Sequence, residues 1–553
     1  MSQSRVVRWR RLPGEPERFR ELGLWGDRTP AEVVVEQAAA RPDRLAVTDA
    51  RVRWTYAELV DRADRLARIL VDLGVREGDA VIAQLPNCAL LPLTHLAALR
   101  IGAIWVPMST AWRSAELGAM IDASGAGVLL AAPRDKGFDL RAMHREVLAD
   151  RARPCTALYL RAEDDPTLPA EESADALLDR TTPLTAEEVA RHRPDPDGPA
   201  LAMVSSGSTG LPKAGLWGGN DLVALLSHHL HERLKLGDDE VAAAIAPANL
   251  GSTGYVYAVL ASLFHGGTCH FLERWSPQAA LDLLVRERCT WATAIAPQMR
   301  MMLDLPLESA DLSAFTRFNN GGAPLPETVA QEVERRMGCR VQTSYGTSDG
   351  GCPTLTSVDD PDDARWTSVG RVLDGMEVEL RDPLGEAVGP GEVGEICWRG
   401  ANKSWGYLNQ PEYEDAVWDA GQWARSGDLG AFDADGYLRI VGRAKEMILR
   451  GGANIFPAEI EAALIASPQV RSVAVVAVPD ERLGERACAV VVPTDAPPTL
   501  SELVAHLERR GMARFKHPEF LLVVDELPIN AGGKVDRIAV RSHAERSLTR
   551  TPA

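Results

Sequence analysis

The 553-residue chain is short of positive charge: 60 Lys and Arg stand against 78 Asp and Glu, a formal charge of −18. Nucleic-acid binders draw their affinity from cations that neutralise phosphates, so this balance excludes that class. No apolar run approaches the ~18 residues a membrane span needs, which excludes a membrane helix. The eight cysteines are scattered with no C-x-x-C pair. That excludes a zinc ribbon and a disulfide framework, and fits free thiols in a reducing compartment. There is no fixed-period repeat and no low-complexity tract. The opening MSQSRVVRWRRLPGEPERFR is basic and lacks the apolar stretch of a secretion signal. What remains is the expectation of a cytoplasmic globular protein, 45% hydrophobic and 25% charged. It is too long for one core, so at least two domains are expected.

What is present is an alternation of short β-branched runs with longer amphipathic segments, up to about residue 440. Thr55-Tyr-Ala-Glu58 reads as a capping box that opens a helix running to Gly74. A strand (DAVIAQLP), a helix (ALLPLTHLAALRIG) and a strand (AIWVPM) follow, and the rhythm continues through LVALLSHHLHERLKLG, TCHFLE and LDLLVRERCTWATAIAP. Such alternation predicts an α/β protein with largely parallel sheets. The acidic, Pro-rich stretch 160–198 reads as a surface connection. Near residue 370 short β segments with Gly and Asp turns predict a small antiparallel subdomain. After Arg443 the text reads as a compact α+β unit: PAEIEAALIA, VRSVAVVAV, LSELVAHLERRG, EFLLVVDELP.

One stretch stands apart. SSGSTGLPKAG, Ser205–Gly215, holds three glycines, four hydroxyls and one lysine. Its glycines and Pro212 exclude a helix, and its composition is read as excluding a core strand. Successive glycine N–H groups can converge on one anion, hydroxyls add donors, and Lys213 adds charge, so the stretch reads as a phosphate-holding loop. It is not the common G-x-x-x-x-G-K-[ST] loop.

Five further motifs follow in order: GGAPLP (Gly321–Pro326), SYGTSDGG (Ser344–Gly351), RSGDLG (Arg425–Gly430), GRAKEMILRGGANIFPAEIE (Gly442–Glu461) and NAGGKVDR (Asn530–Arg537). Together the six resemble the adenylate-forming superfamily of acyl-CoA synthetases, aryl-acid AMP ligases, nonribosomal-peptide adenylation domains and luciferases. FRELGLWGDRTPAEVVVEQAAARPDRLAV looks most like the 2,3-dihydroxybenzoate and salicylate AMP ligases. The resemblance implies a large N-terminal α/β domain of parallel-rich sheets with a small β subdomain (1–442), a hinge (443–445) and a mobile α+β lid (446–553). It also implies joining of an acid to the α-phosphate of ATP with loss of pyrophosphate, a reaction of positioning and charge neutralisation.

By the same resemblance Ser205, Ser206, Gly207, Ser208, Thr209, Gly210 and Lys213 would cover the β- and γ-phosphates. Gly322, Ala323 and Pro324 would pack on adenine, with Tyr345 stacking and Gly346 beside it. Thr347 would reach the α-phosphate. Asp428 would take both ribose hydroxyls, an acceptor role suited to a carboxylate, with Ser426 in place of the family's Thr. Arg443 would hold oxygens near the ribose and phosphates. Asp349 stands where the family carries a Glu that binds Mg2+. As a shorter hard-oxygen ligand it would bind the ion directly or through water, or else only start a helix. Lys445 would be the hinge and Lys534 the catalytic lysine, contacting the carboxylate and α-phosphate.

The acid pocket departs from the pattern. In IAPANLGSTGYVY, Ala248 replaces the His of the aryl-acid enzymes. Asn249 would either hydrogen-bond a ring hydroxyl or cap a turn, and Gly251 and Gly321 leave room for a flat ring. The expectation is an aryl or cyclic carboxylic acid, then transfer to a thiol of CoA or of a carrier protein's phosphopantetheine. Alternatives are a medium- or long-chain acyl-CoA ligase, a relative that adenylates nitrite for transfer to an amine, or a non-catalytic nucleotide binder. Retention of Lys213, Asp428, Arg443 and Lys534 argues against the last. A monomer or homodimer is expected, with no nucleic-acid or membrane partner.

Overall fold

The computed structural model describes residues 11–149, 151, 153–206, 212–246, 251, 254–450, 453–480, 482–529 and 535–549. The alternating text folds into two large sheets with helices against them. The six-stranded sheet runs, in spatial order, Pro212–Gly218, Pro199–Ser206, Ile104–Met108, Ala80–Gln84, Val128–Ala131 and Thr156–Tyr159. Every neighbour pair is parallel except the first. Every residue of Ala80–Gln84 and Ile104–Met108 is buried, as strands covered on both faces require.

The nine-stranded sheet is parallel at its centre. Leu45–Thr48, Thr268–Phe271, Val241–Ala244, Trp291–Ala294, Arg317–Gly321 and Arg340–Thr347 lie side by side, with antiparallel strands at both edges. The expected capping box forms at Thr55 and Glu58 and opens helix Tyr56–Asp72, which buries Leu59, Ala63, Leu66 and Leu70. An antiparallel four-stranded sheet follows: Met376–Arg381, Gly394–Gly400, Ala424–Phe432 and Leu438–Arg443. A short 3-10 turn, Ala444–Glu446, leads to a separate five-stranded sheet with helices Pro457–Ile465 and Leu500–Arg509. That unit has its own core, built on Ile448, Ile460, Leu464, Val475, Val491 and Leu503. The architecture is therefore the mixed α/β one expected. The eight cysteines are all free, and seven are buried.

One expectation is refined and one is corrected. The connection 160–198 carries two capped helices, Ala174–Arg180 and Ala186–Arg191. Its acids are ion-pair partners of arginines in the large domain: Arg141 holds Asp165 and Glu172 at 3.0 Å each, and Arg68 holds Glu188. Acidity there signals pairing as much as exposure. The Ser205–Gly215 stretch is also more strand-like than its composition suggests. Ser205 and Ser206 end one strand and Pro212–Gly215 begin the next, paired as a hairpin. Pro212 is tolerated because it is the first residue of its strand.

The basic N-terminal segment has a structural use. Arg11 lies under the Trp25 ring at 5.0 Å, donates to the Gly400 and Lys403 carbonyls at 2.6 and 2.7 Å, and pairs with Asp221. Asp221 also accepts from Gly218 N at 2.9 Å and Trp405 Nε1 at 2.8 Å. Burial pushes the Asp221 carboxyl up to about 6. Removing one partner of a buried pair leaves the other uncompensated, at a cost of about 3–5 kcal/mol. Arg11→Met is therefore expected to lower the denaturant midpoint of the large domain markedly. Adding Asp221→Asn should restore at least half of the loss. A single variant as stable as the wild type would contradict this account.

Candidate active site

The site is organised by a turn. Strand Arg340–Thr347 reverses through Ser348–Gly350, closed by Gly350 N donating to the Thr347 carbonyl at 3.1 Å. Each exposed carbonyl of that turn is taken by a side chain from elsewhere. Trp217 Nε1 donates to Ser348 O at 2.8 Å, Ser404 Oγ to Asp349 O, and Trp398 Nε1 to Gly350 O at 2.8 Å. The glycines permit this density. A Cβ at Gly346 would stand 2.1 Å from Gly351 O, and one at Gly215 would stand 2.7 Å from Ser348 O.

Gly215 belongs to the hairpin of strands Pro199–Ser206 and Pro212–Gly218, so hairpin and turn touch backbone to backbone. Segment 404–410 covers the hairpin's outer edge. Leu216 N donates to Gly406 O at 2.9 Å and Leu408 N to Ala214 O at 2.8 Å. The Gln410 side chain accepts from Ala214 N at 3.0 Å and donates to Pro212 O at 3.1 Å. Lys213, cross-strand from Ser205, lies over the Tyr413 ring at 4.1 Å and the Tyr407 ring at 5.7 Å. These rings hold the ammonium while leaving its hydrogen-bond donors for another acceptor.

The second half of the site converges on Asp428. Its backbone is set by Ser426: Asp428 N donates to Ser426 Oγ at 2.9 Å, and that hydroxyl donates to Ile396 O at 2.7 Å. Tyr345 OH donates to one carboxylate oxygen at 2.9 Å and Arg443 Nε to the other at 2.8 Å. Burial, and then the Asp428 charge, push the Tyr345 phenol well above the ordinary tyrosine range, so it remains a donor. A carboxylate with donors at both oxygens is the acceptor geometry that a vicinal diol can share.

Strand Arg317–Gly321 runs beside strand Arg340–Thr347, with Gly321 paired to Ser344, and a turn follows it. Gly321 is buried at the strand end, and Gly322 takes φ of +76, the left-handed region natural to glycine. Asn320 Nδ2 ties the turn by donating to Ala323 O at 3.0 Å. Gly322 and Pro324 are exposed and Ala323 is half-buried. Gly251 is buried with φ of +66, and a Cβ there would meet Pro107 at 2.6 Å. Lys445 is exposed on the 3-10 turn after Arg443. Ser206 closes its strand. Gly207, Ser208, Thr209, Gly210, Asn249 and Lys534 lie outside the described residues.

Asp349 is half-buried and accepts from Tyr407 OH through one oxygen. Among the described residues no cluster of three or more His, Cys, Asp or Glu could hold a metal. Mg2+ takes few protein carboxylates when phosphates and water supply its other ligands, and a single Asp349 fits that mode. Sequence reasoning missed Trp217, Trp398, Ser404, Tyr407, Gln410 and Tyr413. For all but Trp217 the available signal was the aromatic density of WRGANKSWGYLNQPEY, residues 398–413, upstream of the Asp428 motif.

A family model described as AMP-binding enzyme matches residues 34–408, and one described as AMP-binding enzyme C-terminal domain matches 459–534. The chain is 32% identical over 545 residues to a medium-chain fatty-acid–CoA ligase of Escherichia coli (strain K12), covering 96% of this chain and 93% of that one. It is 34% identical over 532 residues to the salicyl-AMP ligase / salicyl-S-ArCP synthetase of Mycobacterium tuberculosis, covering 94% and 92%. The solved structure of the amide bond synthetase McbA from Marinactinospora thermotolerans matches with a TM-score of 0.80 at 28% identity, over 93% of this chain and 99% of that one.

The Gly215 contact is open to test. Turn backbone facing Gly215 is held from other directions by Trp217 and Ser404, so it has little freedom to retreat. Gly215→Ala is expected to weaken ATP binding at least about tenfold by calorimetry, a loss of about 1.4 kcal/mol. Gly127→Ala, which meets nothing within 4 Å, should leave it unchanged. Equal affinities for the two variants would show that the contact does not shape the nucleotide site.

Proposed function

The chain belongs to the AMP-binding enzyme family as an adenylate-forming ligase, and we propose that it activates a planar aryl or cyclic carboxylic acid and passes the acyl group to a thiol. What carries this reading is the convergence of Tyr345 and Arg443 on Asp428, next to the turn that the phosphate hairpin touches.

In the first half-reaction a carboxylate oxygen attacks the α-phosphorus of ATP, the P–O bond to the β-phosphate breaks, and pyrophosphate leaves with the bond's electrons. Both reactants are anionic, so the protein's task is to bind, orient and neutralise. Asp428 accepts from the ribose hydroxyls, and Tyr345 lies on adenine opposite the Gly322–Pro324 turn. Thr347 donates to the α-phosphate. Ser205, Ser206, Gly207, Ser208, Thr209, Gly210 and Lys213 hold the β- and γ-phosphates, with the Tyr407 and Tyr413 rings keeping Lys213 in place. Mg2+ at Asp349 would supply charge neutralisation on the phosphates. Lys534 brings an ammonium to the carboxylate and α-phosphate. In the second half-reaction a thiol sulfur attacks the acyl carbon and AMP leaves, after the unit beyond residue 446 turns about Lys445.

The acid's identity is supported by the small-residue neighbourhood of Ala246, Gly251, Gly254 and Gly321 and by the likeness to the salicyl-AMP ligase. The thiol is that of CoA or of a carrier protein's phosphopantetheine. The test is pyrophosphate release over a panel of acids, with and without CoA. Substituted benzoates should be fastest. Decanoate or nitrite as the fastest substrate would overturn the aryl reading, and acyl transfer only to an amine would overturn the thiol.

Lys534→Ala separates the two half-reactions. Loss of one preorganised charge contact should slow adenylate formation by about 10²–10³ while sparing thiolysis of supplied acyl-AMP. Equal damage to both steps would refute its role.

A further inference from the structure

Asp349 and Lys213 belong to different sheets, and one side chain reaches both. Asp349 follows strand Arg340–Thr347 of the nine-stranded sheet, and Lys213 lies in the edge strand of the six-stranded sheet. Tyr407 sits where they meet, in an isolated bridge to Gly215, whose added Cβ would stand 2.8 Å from Asp349 Cα. Lys213 is two residues before Gly215, so its side chain leaves the same face of the strand.

The Tyr407 side chain is divided between the two charges. Its hydroxyl donates to Asp349 Oδ2. Its ring lies 5.7 Å from Lys213 Nζ and stands edge-on to the Tyr413 ring, with centroids 5.9 Å apart at 74°. Tyr413 holds the same ammonium from 4.1 Å. Tyr407 is only 5% exposed and so has a fixed place, whereas Asp349 and Lys213 are half-buried and partly open to solvent. The Asp349 backbone is held from the same segment, because Ser404 donates to its carbonyl. What is left is Asp349 Oδ1, which accepts no hydrogen bond among the described residues.

We propose that Tyr407 is a positioning residue of the nucleotide site: by occupying one oxygen of Asp349 it leaves a single oxygen for a divalent cation, and so sets a preference for Mg2+ over Ca2+. This rests on the reading of Asp349 as the residue that holds Mg2+. Mg2+ is held by few carboxylate oxygens beside phosphates and water, whereas Ca2+ accepts both oxygens of one carboxylate in a larger and looser shell. A hydroxyl donating to a carboxylate makes one of the stronger hydrogen bonds, so the oxygen it occupies is not readily given up to a cation. The ring of the same residue limits where Lys213 places its charge. One buried side chain thus spaces the cation and the ammonium that share the triphosphate.

The test is calorimetric binding of α,β-methylene ATP, which cannot release pyrophosphate, to the full-length protein in MgCl2, in CaCl2 and in EDTA. No acid is needed, so an error in the acid's identity leaves the result untouched. The wild type should bind at least about tenfold tighter in Mg2+ than in Ca2+. Tyr407→Phe keeps the ring and should cut that ratio at least about fivefold, chiefly by tighter binding in Ca2+. Tyr407→Leu should cut it as much and, having lost the ring beside Lys213, should also bind more weakly in EDTA than Tyr407→Phe. In an Asp349→Asn background Tyr407→Phe should change the ratio no further, because it acts through the carboxylate. A wild type without the preference, an unchanged ratio in Tyr407→Phe, or an equal fall in all three media would overturn the proposal. If Asp349→Asn alone keeps the wild-type ratio, the reading of Asp349 fails and the proposal with it. If Asp349→Asn abolishes the ratio and Tyr407→Phe does not move it, only the proposal fails.

Discussion

A turn of four residues, Thr347–Gly350, joins three sheets of the large domain. Its chain belongs to the nine-stranded sheet, Trp217 reaches it from the six-stranded sheet, and Trp398 from the four-stranded antiparallel sheet. Both indoles spend their single N–H on its carbonyls, and Ser404 takes the carbonyl between them. A polar turn in a crowded interior is stable only when its backbone groups are paired, and here the pairing partners are the neighbouring sheets. The same bonds that satisfy the turn fix the distance between the Pro199–Gly218 hairpin and the Tyr345 strand. Rigid supports of this kind allow a cleft to be charged without collapsing.

That arrangement explains which parts of the site were legible in the sequence. Gly346, Gly350 and Gly351 stand out because the packing leaves no space for a Cβ, and Gly322 because its φ is positive. Asp428 and Arg443 are legible as motif residues, since their spacing along one hairpin makes them a direct cross-strand pair. Trp217, Trp398 and Gln410 were not legible. Each acts on a segment far away in the chain, and a tryptophan in a strand reads only as core. The helices and ion pairs of the acidic surface connection at 160–198 were not legible for the same reason: its carboxylates have arginine partners dozens of residues distant.

Asp428 and Arg443 differ sharply in their surroundings. The carboxylate side chain is 9% exposed and the guanidinium 58%. An ion pair with one partner so open to water is worth little to stability by itself. The pair is better understood as a held geometry: Ser426 fixes the Asp428 backbone and Tyr345 one carboxylate oxygen, leaving the Arg443 side replaceable by other donors.

Arg443 is also the last residue of the four-stranded sheet, and Ala444–Glu446 then lead into the C-terminal unit. Beyond that turn Arg537 reaches back to Glu446 at 3.0 Å and holds Glu461 at 2.6 Å, so the turn is anchored to the C-terminal unit as Arg443 is anchored to the large domain. The connection between the two parts is thus bounded by two arginine–carboxylate contacts only a few residues apart. Any hydroxyl donor that competes with Arg443 for Asp428 acts on the residue from which the C-terminal unit extends. Whatever donates to that Asp428 oxygen and the restraint on the chain's exit are therefore linked, because Arg443 and its competitor share a single carboxylate oxygen.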